Sequence, residues 1–181
     1  RSARLPDGVS IPDLVRVVVS IDPSVAADGG GDACGIIVAG LGGDGRVYVL
    51  HDATANRSPA AWSSEAARLA ERFGADAIIA ESNNGGALVT ETLRAHGARV
   101  RISLVHASRG KRSRAEPVVA LYERGAVCHA PGLSDLEREL TTWSAASGEA
   151  SPNRLDALVW ALTALCLRET NRVASSEEYN L

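Results

Sequence analysis

Apolar residues along this chain change their spacing more than once, and each change marks a different kind of element. Residues 15–21 are a β-branched run ending at Asp22-Pro23, which predicts a strand followed by a turn. Two further strands are predicted over 34–41 and 47–53, joined by the tight turn from Gly42 to Gly45. That short connection makes them an antiparallel hairpin, and a meander is the simplest reading of all three. From Ser58-Pro59 the spacing becomes helical, with Ala61, Glu65, Leu69 and Phe73 on one side of a helix over 60–73 that Gly74 stops. A buried strand over 77–80 ends at Glu81, a turn covers 82–86, and a helix over 87–96 ends at Gly97. A strand over 100–105 leads into a basic loop. After it come a helix over 115–123, a short extended piece over 126–129 and a helix over 134–143, where Ser134 and Glu137 read as a capping box. Residues 144–150 read as a flexible loop. Ser151 and Pro152 open a last helix running to about residue 168.

This order is three meandering strands, then strand–helix–strand units, then helices. Such units imply parallel neighbours and right-handed crossovers. The expectation is an α/β fold: a mixed sheet, antiparallel in the meander and parallel beyond it, flanked by helices. The ribonuclease-H-like fold has that arrangement. Residues 1–13 read as a linker or tail, 14–170 as one domain and 171–181 as a polar C-terminal tail. With 45% apolar residues a core can form without disulfide or metal staples. No apolar run is long enough for a membrane span, and no signal peptide is evident. Cys34, Cys128 and Cys166 are widely spaced in apolar runs and read as buried thiols.

A net charge of −3 does not by itself suggest a nucleic-acid binder. The distribution does more. Arg99, Arg101, Arg109, Lys111, Arg112 and Arg114 follow one another with no acid between them, and Lys111 is the only lysine. This is either a basic patch for phosphates or a solvated loop.

Three acids stand where phosphodiester chemistry needs them. Asp22 ends the first strand, Glu81 the fourth, and Asp156 lies just inside the last helix. If the first and fourth strands are parallel neighbours, Asp22 and Glu81 project into one crevice at the strand ends. Asn153 and Asp156 share a helix face and can aim oxygens at the same place. Mg²⁺ or Mn²⁺ suits such oxygen donors, and two ions about 3.5–4 Å apart can activate water and stabilise a leaving oxygen. Each acid also has a plainer alternative: an Asp-Pro turn, a solvated strand end, or a helix-dipole partner contributing about 0.3–1 kcal/mol. Asp32 is a further acid in the loop before the second strand.

The segments around these acids resemble the nuclease domain of phage large terminases. Ser20-Ile-Asp-Pro23 followed by 35–40 resembles its opening, Ala80-Glu-Ser-Asn-Asn-Gly85 its second acidic motif, and Lys111 with 114–117 and 121–125 its lysine-containing segment. Residues 151–162, with Asn153 and Asp156, resemble its third acidic motif. The resemblance implies a ribonuclease-H-like, two-metal endonuclease that cuts concatemeric double-stranded DNA during genome packaging. Catalytic acids would be Asp22, Glu81 and Asp156, with Asn153 a fourth metal contact and two Mg²⁺ or Mn²⁺ ions as cofactors. Arg109, Lys111, Arg112 and Arg114 would hold the DNA backbone. Partners would be a packaging ATPase domain preceding this segment, a portal and a small terminase subunit, in the host cytoplasm and transiently on the procapsid. Many relatives carry an acid or histidine where this chain has Asn153, so one ion would be held by fewer charges. No phosphate-binding loop for ATP is present. The competing readings are a Holliday-junction resolvase of the same fold and a catalytically inactive module docking portal or ATPase.

Overall fold

The β-branched run opens the fold as expected, forming β1 (Leu14–Asp22). It pairs antiparallel with β2 (Gly35–Gly42), which pairs antiparallel with β3 (Val47–Asp52). The computed structural model describes residues 3–6, 8–23, 33–82, 86–107, 110–143 and 152–166. After α1 (Pro59–Arg72) the chain returns as β4 (Ala77–Glu81), parallel to β1. After α2 (Gly86–Ala95) it returns again as β5 (Arg101–Val105), parallel to β4. Following α3 (Lys111–Glu123), the short β6 (Val127–His129) joins the other edge beside β3. Then come α4 (Ser134–Thr142) and α5 (Asn153–Cys166). The sheet order is β5-β4-β1-β2-β3-β6, the mixed sheet expected from the sequence.

Side chains on a strand alternate between faces, so the sheet builds two apolar layers. Val17, Val19, Ile21, Ile78 and Ala80 pack against Trp62, Leu69 and Leu93 of α1 and α2. Val18, Ile37, Ala39, Ala77 and Ile79 pack on the opposite face against Leu158, Leu162 and Leu121 of α5 and α3. Helix α5 is buried along most of its length because it crosses the centre of the sheet. Its all-round apolar sequence reflects that position. Gly74, Gly97 and Gly125 close α1, α2 and α3 in left-handed backbone.

Three local expectations give way. Helix α3 begins at Lys111, not at residue 115, with Gly110 as its N-cap. Arg and Lys are good helix formers, so the basic segment is the helix's first turn. Pro117 lies inside the helix. The capping box at Ser134 does not form: Leu133 is the N-cap and makes no side-chain cap. Glu137 is engaged instead by Arg4 and His129. The segment read as a linker or tail is partly built into the sheet. Leu5 is buried against Tyr48 and Cys128, and its N–H donates to the His129 carbonyl at 3.0 Å. The Ser151 cap, the 144–150 loop and the C-terminal tail lie outside the described residues. Cys34 and Cys128 are buried thiols, as expected, and Cys166 is half-buried.

His129 is the pivot of this edge. Its Nε2 lies 2.8 Å from the Tyr122 hydroxyl and its Nδ1 3.3 Å from Glu137. Burial outweighs the pull of Glu137 and holds the imidazole below the ordinary histidine range. The unfolded chain therefore takes up this proton first as pH falls through about 6.5, so stability is present above that value and lost below it. The urea midpoint should drop between about pH 7.5 and about pH 5.5. In His129→Asn that slope should flatten. An unchanged slope would assign the pH dependence to another group.

Candidate active site

The register of the parallel pair sets the first two acids. Ile21 stands opposite Ala80, so Asp22 and Glu81 follow as the next residues on neighbouring strands. Paired residues of parallel strands point to the same face. Ile21 and Ala80 face α1 and α2, so Asp22 and Glu81 both face α5. Both are half-buried at the C-terminal ends of their strands. On its other side Asp22 is paired with Gly35, the first residue of β2.

Gly35 is what lets the helix that carries the third acid lie close against β2. A Cβ at this position would lie 2.1 Å from the Asn153 carbonyl oxygen and 3.1 Å from the Ala157 Cβ. The first turn of α5 therefore rests on bare backbone, directly beside Asp22. Asp156 sits in that turn, only 5% exposed. Two neighbours fix the turn in place. The side-chain amide of Asn153 donates to the Ala33 carbonyl, tying α5 to the entry of β2. Arg154 reaches the end of β3 through Asp52, at 2.5 Å from Nε, and also pairs with Glu139 of α4.

Buried carboxylates need a counter-charge. Here it comes from the start of α3. The Arg114 side chain is 11% exposed, with Nη1 3.8 Å from Glu81 Oε2 and Nη2 4.0 Å from Asp156 Oδ1. Its guanidinium lies over the Trp160 ring, 4.7 Å from the centroid. The Trp160 indole N–H donates to Glu81 Oε2 at 2.8 Å. One helical turn of α5 thus supplies both an acid and the aromatic platform that orients its neighbours. Among the described residues, no three carboxylate, imidazole or thiol groups stand close enough to hold one ion together. The guanidinium bridges two of the acids instead.

A family model for the terminase RNaseH-like domain matches residues 19–165. The chain belongs to this family. The sheet and helices of this terminase domain carry the ribonuclease-H-like fold, as solved structures with low sequence identity also show. The large terminase nuclease domain of phage P22 is similar with a TM-score of 0.65 and 13% identity, over 88% of this chain and 85% of that one. A mutant large terminase nuclease domain of bacterial virus Sf6, with manganese, has a TM-score of 0.61 and 19% identity, over 86% and 90%. The large terminase nuclease of thermophilic phage G20c, with bound zinc, has a TM-score of 0.62 and 16% identity, over 83% and 85%. No curated protein matches the chain.

Within this terminase domain the basic residues do not form one patch. Arg101 pairs with Ala77 at the far end of β4, and with Arg99 it is exposed at the end of the sheet away from Glu81. Lys111 and Arg112 begin α3 close to the acids, but their side chains lie outside the described residues. Arg109 and Asp32 also lie outside them. Arg114 points into the carboxylate crevice rather than onto an open DNA-facing surface. Sequence reading gave no role to three residues that hold the site: Gly35, Arg154 and Trp160, the last placed on the face of Asn153 and Asp156 but assigned nothing. The only signal for them was their place within the motifs around the acids.

If the close approach at Gly35 sets the position of α5, Gly35→Ala must push the helix away or distort β2. A loss of about 1–3 kcal/mol is expected from such overpacking. Gly43→Ala is the control: its nearest neighbour is 3.9 Å away. Denaturant unfolding should show a large loss for the first and little for the second. Equal losses would remove the steric argument.

Proposed function

We propose that this chain is a metal-dependent DNA endonuclease of a viral genome-packaging motor, cutting concatemeric double-stranded DNA by two-metal phosphodiester hydrolysis. The observation that carries the reading is that Asp22, Glu81 and Asp156, from three separate elements, are directed to one end of one sheet face. A divalent cation suits the chemistry of these donors. Carboxylates supply the hard oxygen ligands that Mg²⁺ and Mn²⁺ prefer, and the crevice already accepts a cationic group in Arg114. The manganese and zinc in the Sf6 and G20c nuclease structures lend support.

Asp22, Glu81 and Asp156 would hold the ions, with the Asn153 side chain beside them. Bound there, the ions would lower the pKa of an attacking water and stabilise the leaving 3′ oxygen. The chain's own residues do the positioning. The Trp160 indole fixes one Glu81 oxygen. Gly35 and Arg154 hold the Asp156 turn at its depth. Arg109, Lys111 and Arg112 would bind the DNA backbone, which carries little sequence information, so cutting should be weakly specific. On this reading the domain works beside a packaging ATPase, a portal and a small terminase subunit in the host cytoplasm.

Supercoiled plasmid with Mn²⁺ or Mg²⁺ tests the acids. Asp22→Asn, Glu81→Gln and Asp156→Asn should each slow nicking by about a hundredfold or more while the circular dichroism spectrum persists. Full activity in any one variant removes that residue from the mechanism. Faster cutting of four-way junctions than of linear duplex would favour the junction-resolvase reading. For the basic turn, replacing Lys111 and Arg112 by Ala should weaken DNA binding evenly across sequences. It should also lower the slope of log K against log salt by about one for each phosphate that is no longer neutralised. An unchanged slope would take both residues off the DNA.

A further inference from the structure

Arg114 is unlike the other basic residues near the acids. Its guanidinium is buried, touches two carboxylates on different elements, and is stacked on an aromatic ring. Neither carboxylate contact is a close hydrogen bond: the separations are 3.8 and 4.0 Å. Its Nε and Nη1 are buried without a hydrogen-bond partner among the described residues. A guanidinium built as a permanent structural clamp has a planar fork suited to two short parallel bonds to one carboxylate. Arg154 makes close bonds, one to Asp52 at 2.5 Å and one to Glu139. Arg114 is held by charge and by the Trp160 face, so it neutralises the acids without being locked to either.

We propose that Arg114 is the built-in counter-cation of the metal-free site, and that its guanidinium withdraws from between Glu81 and Asp156 as divalent cations load. The inference rests on the metal-dependent reading above. Without a cation, Glu81 and Asp156 would be two part-buried negative charges directed at one crevice, and their repulsion would oppose the docking of α5 on the sheet. Arg114 offsets part of that repulsion. The same positive charge then competes with any incoming cation, so folding stability and metal affinity are set against each other at one residue. The Trp160 ring offers the displaced guanidinium a stacking surface that needs neither acid.

Two readouts with opposite signs test this. In Arg114→Gln the metal-free protein should melt at a lower temperature, and Mn²⁺ should bind about tenfold tighter by calorimetry, the order expected from losing one competing part-buried charge. Arg114→Lys keeps the charge and should bind Mn²⁺ close to the wild-type level. If Arg114→Gln binds Mn²⁺ with unchanged or weaker affinity, the counter-cation role is wrong while the metal-dependent reading stands. If the wild type shows no Mn²⁺ binding that Asp22→Asn removes, the metal-dependent reading fails and takes the inference with it. Should Arg114→Gln not fold, a crystal structure of the wild type soaked in Mn²⁺ decides. Guanidinium nitrogens well beyond ion-pair distance of Glu81 and Asp156 would support the proposal. A guanidinium still between the two acids beside bound ions would overturn it.

Discussion

Helix α5 lies on β2 with nothing between their backbones, and that contact sets the depth of the third acid at the strand ends that carry Asp22 and Glu81. Position 35 has no side chain, so the Asn153 carbonyl occupies the space a Cβ would need. The approach seats the turn that carries Asp156 against Gly35, the strand partner of Asp22. It also carries Trp160, one turn further along α5, over Glu81. Arg154 prevents the turn from sliding by binding Asp52 and Glu139 on either side. A glycine, a clamp and a helix register together determine where the acids are.

The price of that depth is electrostatic. Sheet and helix bury the acids where water screens them poorly, and the chain answers with a cation drawn from the next helix. The opposite edge of the sheet solves a similar problem differently. There Arg4 and Glu137 meet across 133 residues of sequence and enclose a histidine kept neutral by burial. One arrangement ties down a chain segment. The other sits where chemistry is expected.

The strands, their pairing and the acids at their ends could be read from the sequence because they depend on local signals: β-branched runs, a tight turn, and a polar residue directly after an apolar stretch. The antiparallel meander followed from connection lengths, whereas the place of β6 beside β3 was not read. What escaped was decided by distant partners. Ser134 and Glu137 have capping-box spacing, yet Glu137 is taken by Arg4 and His129, which no local window reveals. The basic run looked like one exposed loop, but helix α3 begins inside it and turns Arg114 inward, while Arg99 and Arg101 fall at the other end of a strand. Gly35 read as an ordinary strand residue, since the helix that requires its bareness arrives 118 positions later at Asn153 (153 − 35).

The late arrival of α5 has a further meaning on the endonuclease reading. Asp22 and Glu81 are made before Asp156, which enters with the last described helix. A nascent chain can pair β1 with β4 long before its third acid exists. On that reading hydrolytic competence would be withheld until α5 has been made and has docked. A chain cut short before α5 would then bring two of the three acids, and no complete site, to DNA.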